Sequence, residues 1–336
     1  MKNKKGILIL LTPYHLHQYL NIVRQYNLPN SNLIIFHSKI VSANQIKNSL
    51  SCTNSIYMIP EGNVSFAQLK THPIQTYKHL KFLLKKYSAI INLATKKLQN
   101  NIPLFIGSDK DLFTQMLVQL LGDSINNVHA FDEGTSYYIS DSKKDYVKDK
   151  LFMLFSKLIW GYKFRYVRTM GRSSWIDTIY ARIPGLITHK KAEVFPINSS
   201  KRRKKVANSK KMLFISSPLS EFDLMSTSDE ERIYDKVLSM YSKEYKIFIK
   251  PHPSDRVNKF QHVLNKQNIN IIKEHILAEK LDYYEYKVIV NFGSSVIIDI
   301  LSSHYPSKNI VTFHVSKHMQ LPTFFKKTKV ISFTKK

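Results

Sequence analysis

One cysteine, Cys52, among 336 residues leaves no intramolecular disulfide and no cysteine-built zinc or iron–sulfur site. A chain without such cross-links suits a reducing compartment, and a cytoplasmic protein is expected. Glycine is also scarce, at nine residues. No two of them are spaced as a G-x-G-x-x-G dinucleotide fingerprint requires, and there is no Walker A loop. The thirteen histidines form no H-E-x-x-H and pair with no cysteine, so no metal site is expected. No apolar run reaches the ~18 residues of a spanning helix. The run from Gly6 to Leu11, behind Lys2, Lys4 and Lys5, imitates a signal peptide but stops at Thr12-Pro13 without a small-residue cleavage site. It reads as a buried first strand.

Acidic residues are few: 24 Asp+Glu against 51 Lys+Arg give a net charge of +27. Such an excess suits nucleic acid, an anionic bilayer or a negatively charged substrate. No helix-turn-helix, zinc finger or aromatic RNP-type segment accompanies it, so nucleic acid is not the expected partner. An anionic membrane surface is, with the protein peripheral on the inner face of the cell membrane.

The hydrophobic share of 43% supports a sizeable core. Strand-like apolar runs recur at 7–11, 33–37, 55–59, 103–106 and 128–131, then at 212–216, 245–250, 269–272, 287–292 and 309–313, with helical patterns between them. That alternation predicts α/β layers with parallel sheets. Between the two sets lies a stretch holding Pro196, Asn198-Ser199-Ser200 and Lys201-Arg202-Arg203-Lys204-Lys205. The expected organisation is a Rossmann-like domain over 1–195, a basic linker over 196–211 and a second Rossmann-like domain over 212–336, the two facing each other across a cleft. Leu151, Leu154, Phe155, Leu158, Ile159 and Tyr162 recur at helical spacing in 150–168, with Lys150, Lys157 and Lys163 off the stripe. The stripe is expected to bury in its own domain; a membrane-surface helix is the alternative.

Three short constellations carry chemistry. Tyr245 to Lys250 is a strand that stops at Pro251-His252-Pro253, which sets an imidazole at the carboxyl end of a parallel strand, where open α/β sheets bind ligands. His252 there can donate a proton near neutral pH. Lys287 to Phe292 runs into Gly293-Ser294-Ser295 at the start of a helix, a phosphate site built from N–H groups and hydroxyls. Val128 to Phe131 ends in Asp132-Glu133-Gly134, two adjacent carboxylates suited to base chemistry, or a simple turn. Asp109-Lys110-Asp111 matches a metal-holding Asp-x-Asp pattern, but capping of the helical run 112–121 accounts for it more simply. Together the three suit transfer from a nucleotide-activated sugar.

The set Phe131-Asp132-Glu133-Gly134-Thr135, Lys250-Pro251-His252-Pro253 and Phe292-Gly293-Ser294-Ser295 resembles the acidic-pair-Gly, His-Pro and Ser-Ser motifs of bacterial sialyltransferases. It is most similar to the lipooligosaccharide sialyltransferases, glycosyltransferase family 52; the opening Leu11-Thr12-Pro13-Tyr14-His15-Leu16 and the segment Ile271 to Leu277 also resemble that family. The resemblance implies a GT-B fold, a CMP-sialic acid donor, inversion at the anomeric carbon, a glycan acceptor of the cell surface such as lipooligosaccharide or capsule, and no required metal or other cofactor. It makes His252 the general acid or phosphate contact and places Lys250, Pro253, Gly293, Ser294, Ser295 and Glu274 on the donor. For the base it offers Asp132 or Glu133, or an acid after Ser216-Ser217-Pro218, here Glu221 or Asp223. Polymerases that move glycerol phosphate from CDP-glycerol share the His-Pro and Ser-Ser turns and form the alternative.

Overall fold

The computed structural model describes residues 6–28, 30–50, 54–60, 73–96, 98, 100–138, 143–165, 170–187, 191–197, 205–221, 223–256, 258–263, 268–273, 276, 278–315, 321 and 323–332. The chain divides into two compact units, Met1–Asn198 and Ser199–Lys336. In the first, β1 (Gly6–Leu10), β2 (Leu33–His37), β3 (Ser55–Met58), β4 (Ile102–Ile106), β5 (Ile125–Phe131), β6 (Thr178–Ala181) and β7 (Glu193–Pro196) form one sheet in the order β3-β2-β1-β4-β5-β6-β7. Its described pairings are parallel. Every residue of β1 is buried, because a parallel strand covered on both faces has no solvent side and so reads as an unbroken apolar run.

The helices of this unit are α1 (Pro13–Tyr26), α2 (Ala43–Ser49), α3 (Pro73–Thr95), α4 (Leu112–Leu121) and α5 (Lys143–Trp160). The start of α1 is set locally: the Thr12 hydroxyl accepts the His15 N–H at 3.3 Å, and Pro13 stands in the first turn, where its missing N–H costs nothing. Asn27, in the left-handed region, ends it. The helix buries His15, Leu16, Tyr19 and Ile22, and the three apolar side chains join Leu8, Leu10, Ile35 and Phe105 in the core.

The second unit repeats the plan. Its strands β8 (Lys211–Ile215), β9 (Lys246–Lys250), β10 (Ile269–Ile271), β11 (Val288–Asn291), β12 (Ile310–His314) and β13 (Lys329–Ser332) pair in parallel in the order β10-β9-β8-β11-β12-β13. Helices α6 (Thr227–Tyr241) and α7 (Val296–Ser302) belong to it. Phe214 anchors its core, meeting Tyr234 edge-on at 5.2 Å and Phe292 at 5.4 Å between ring centroids. In each sheet the strand order reverses, between β1 and β4 and between β8 and β11, which is where such sheets open a crevice at the carboxyl ends of their strands.

The apolar runs read from the sequence coincide with strands, but β6, β7 and β13 were not foreseen. All three are only four residues long, and β7 and β13 are edge strands that expose most of their side chains, so neither an unbroken run nor a long alternation marks them. Pro196, assigned to the linker, closes β7, and Lys201 to Lys204 of the basic run lie outside the described residues. The expectation for α5 is corrected. Leu151, Leu154, Phe155, Leu158 and Ile159 are exposed, Leu158 to 74%, and the helix instead packs through Ser156. That buried hydroxyl donates to the Met153 carbonyl at 3.0 Å and accepts the Phe164 N–H at 2.9 Å.

Phe214→Ala should cost about 3–5 kcal/mol, the range for emptying a buried aromatic site. Urea denaturation of the chain checks it; an unmoved midpoint would mean that the ring cluster does not carry the stability of its unit.

Candidate active site

In the first unit the turn after β1 meets the turn after β5. His15, fully buried in the first turn of α1, places Nε2 2.9 Å from Glu133 Oε2. The Leu11 N–H donates to His15 Nδ1 at 3.1 Å. A nitrogen that accepts an N–H carries no proton, so the hydrogen of the neutral ring sits on Nε2 and is donated to Glu133. The ring fits because residue 107 is glycine: a Cβ there would lie 2.5 Å from the imidazole. Phe131 holds the ring edge-on at 5.6 Å. The Glu133 side chain keeps 26% of its surface exposed, so its carboxylate is both oriented and reachable.

Its neighbour Asp132 behaves differently. It is fully buried, accepts the Arg182 N–H at 2.8 Å and Nε–H at 2.9 Å, and is also held by the Tyr138 hydroxyl. The two adjacent acids are thus divided between separate partners, and only Glu133 faces solvent. Asp109 accepts from the backbone of Gly171 and Ser173 at 2.9 and 3.0 Å and from the Ser173 hydroxyl at 2.7 Å, tying two loops together. Asp111 caps α4, accepting the Thr114 N–H at 2.8 Å. Its carboxyl is pushed up to about 6 by burial, with the Glu133 charge adding to the effect against Thr114 and His15.

In the second unit the Lys250-Pro251-His252-Pro253 turn leaves the end of β9 and is held by a network of charges. The His252 N–H donates to Ser216 Oγ and to Asp255 Oδ2, each at 2.8 Å. Lys259 is buried, and its ammonium reaches Glu230 at 2.6 Å, Asp255 at 2.8 Å, Glu221 at 3.1 Å and the Ser217 carbonyl at 3.2 Å. The Ser254 N–H donates to His252 Nδ1 at 3.0 Å, so here too the ring hydrogen belongs on Nε2. Burial lowers the His252 pKa, with Lys250 and Lys259 adding to the effect and Asp255 and Glu221 opposing it. Lys250 is buried and donates to the Pro251 carbonyl at 2.9 Å, while Pro253 is exposed.

The turn after β11 is shaped by Asn291, whose Oδ1 accepts the Gly293 N–H at 2.9 Å while its amide donates to Val311 O and Thr312 Oγ1. Gly293 has φ +76°, a conformation other residues adopt only with strain. Ser294 and Ser295 follow, half-buried, at the start of α7. The Ser217 hydroxyl donates to the Phe292 carbonyl at 3.1 Å, which joins this turn to the end of β8.

The predicted residues therefore form two groups. His252 and the Gly293-Ser294-Ser295 turn follow β9 and β11 of one sheet, on either side of β8, and Asp132 and Glu133 follow β5 of the other. Glu274 lies outside the described residues. Glu221 is tied to Lys259 and Arg256; burial opposes its charge, but backbone N–H donors and the Lys259 ammonium outweigh that and hold it at about 2, a poor proton acceptor. Asp223 is exposed, in the left-handed region. Missing from the sequence-derived set were His15, Arg182, Asp255 and Lys259. The Thr12-Pro13 helix start, which fixes His15 just past β1, was a readable signal for the first.

A family model described as Alpha-2,8-polysialyltransferase (POLYST) matches residues 6–310. No curated protein matches in sequence. Among solved structures, the alpha/beta-galactoside alpha-2,3-sialyltransferase of the luminous marine bacterium Photobacterium phosphoreum is similar at 14% identity, covering 94% of this chain and 92% of that one with a TM-score of 0.53. A Photobacterium damselae sialyltransferase GT-B domain is similar at 13% identity, with the same coverages and TM-score. The Methanocaldococcus jannaschii UDP-GlcNAc 2-epimerase is similar at 12% identity, covering 92% and 83% with a TM-score of 0.52. These likenesses show the fold, GT-B, which the epimerase shares with the transferases.

Two outcomes are expected from the charges of the site. Lys259→Met should cost roughly 3–5 kcal/mol, because it strands buried carboxylates without their cation; denaturant melts that match wild type would refute it. Asp111 is protonated in both states below its ordinary value near 3.8, and its raised folded value means that stability is lost as pH rises through about 6. Asp111→Asn keeps the cap, so it should melt above wild type at about pH 8 and level with it near pH 4. Thermal scans across that range check the sign, and a gain that grew toward acid would reverse it.

Proposed function

Since the chain belongs to the alpha-2,8-polysialyltransferase family, we propose that this GT-B glycosyltransferase moves sialic acid from CMP-sialic acid to a terminal sugar hydroxyl of a cell-surface glycan, in one inverting displacement that requires no metal. The family's description makes a chain ending in sialic acid, extended at O8, the acceptor of choice. Glu133 takes the proton of the attacking hydroxyl as the bond to the anomeric carbon forms. The bond from that carbon to the phosphate oxygen breaks, and CMP leaves with the electron pair. His252 offers its Nε2–H to the departing phosphate, which the Ser294 and Ser295 hydroxyls also bind. Lys250 and Pro253 keep the His252 turn in shape. His15 acts through Glu133 and is a positioning residue.

The observation that carries this reading is the His15–Glu133 pair. It leaves one acid of the expected pair oriented and reachable, whereas Asp132 is taken up by Arg182 and Glu221 by Lys259. A low carboxyl such as Glu221 accepts a proton with difficulty, and a buried ion-paired one such as Asp132 cannot reach a substrate.

CMP release is the test, with CMP-sialic acid and a sialylated acceptor in excess EDTA. Turnover is expected there and none from CDP-glycerol; CDP-glycerol turnover would favour glycerol-phosphate transfer, and a strict Mn or Mg requirement would revive Asp109 and Asp111. Glu133→Gln and His252→Ala should each lower kcat by roughly a hundredfold or more, as losses of general acid–base groups do. CMP should still protect Glu133→Gln thermally. Near-normal transfer by Glu133→Gln, with transfer abolished in Glu221→Gln, would move the base to Glu221.

A further inference from the structure

The exposed face of α5 has no counterpart in the catalytic reading. Leu151, Leu154, Phe155, Leu158 and Ile159 are between 48% and 74% exposed. At about 100° per residue they cover a continuous arc of roughly 140°. The opposite side of the helix is the one that packs, through Ser156. A monomeric soluble surface rarely leaves so many large apolar side chains together without a partner.

The surrounding charge specifies the partner. Helix α5 carries five lysines against two acids, Asp145 and Asp149, both in its first two turns; the stretch from Lys150 to Lys163 that bears the apolar face has as its charges only Lys150, Lys157 and Lys163. All three lysines are exposed, and Lys150 and Lys157 lie two turns apart along one border of the apolar arc. An apolar face edged by cations, on a helix of net positive charge, is complementary to a surface that is anionic outside and hydrocarbon beneath. A protein interface would instead tend to exclude lysine. No described helix is long and apolar enough to cross a membrane, and α5 has the character of a helix that lies in the plane of the headgroups.

We propose that α5 docks the protein on anionic bilayers, with Leu151, Leu154, Phe155, Leu158 and Ile159 entering the headgroup–acyl boundary and Lys150, Lys157 and Lys163 contacting lipid phosphates. The attachment is reversible, since each lysine adds only about 1 kcal/mol near such a surface. It stands on the helix face alone and is independent of the assignment of donor, base or acid.

Co-sedimentation of the full chain with phosphatidylglycerol/phosphatidylcholine vesicles, and with phosphatidylcholine alone, tests it. Wild type should pellet with the mixed vesicles only and be released at high salt. Lys150→Gln/Lys157→Gln should weaken binding about thirtyfold, and Leu154→Gln/Leu158→Gln roughly a hundredfold, on the usual scales for surface charges and buried leucines. Both pairs are exposed, so their urea midpoints should match wild type. Equal binding to both vesicle types, or leucine variants that bind like wild type, would overturn the proposal. So would a concentration-dependent dimer, dissolved by Leu154→Gln/Leu158→Gln, in a protein that ignores vesicles; that result would assign the face to a second copy of the chain.

Discussion

An imidazole that accepts a backbone N–H on Nδ1 has its hydrogen on Nε2, and this constraint operates in both units. Leu11 imposes it on His15 and Ser254 on His252. In each case the donor N–H belongs to a turn at the carboxyl end of an interior strand, β1 or β9, so the direction of the ring hydrogen follows from how the chain leaves the sheet. The orientation of Glu133 depends on the first of these rings, and the proposed contact to the leaving phosphate on the second.

Buried charge then decides which carboxylates remain available. Arg182 with Tyr138 closes off Asp132, and Lys259 gathers Glu221, Glu230 and Asp255. Such clusters are costly to desolvate and tolerable only when the charges are paired, so they hold their loops in one arrangement. Asp255 shows the coupling: one oxygen meets Lys259 while the other accepts the His252 N–H. The turn that carries the histidine is therefore fastened to the electrostatic centre of its unit.

Much of this was legible in the residues. Strands β1, β2, β4, β8 and β9 are short apolar runs because a parallel sheet is covered on both faces, and the three motifs follow the carboxyl ends of β5, β9 and β11, as the apolar runs before them indicated. The acidic pair, the His-Pro turn and the Ser-Ser turn were found by type and position. What could not be read was partnership. Asp132 and Glu133 are chemically alike and adjacent, and only the long-range contacts to Arg182 and His15 separate them. Lys259 and Asp255 look like two more surface charges until the fold buries them. The periodicity in α5 announced an apolar stripe correctly but carried no information about which surface that stripe meets.

Gly107 has no functional group, yet its missing side chain is the space in which the His15 ring stands. Any other residue there must displace an imidazole whose position fixes a carboxylate two contacts away. Substitution at Gly107 would thus resemble damage to the chemistry while leaving the reactive groups in the sequence. A backbone vacancy of this kind makes part of the site's specification steric, written at the end of β4 in a residue that a search for nucleophiles, acids and bases passes over.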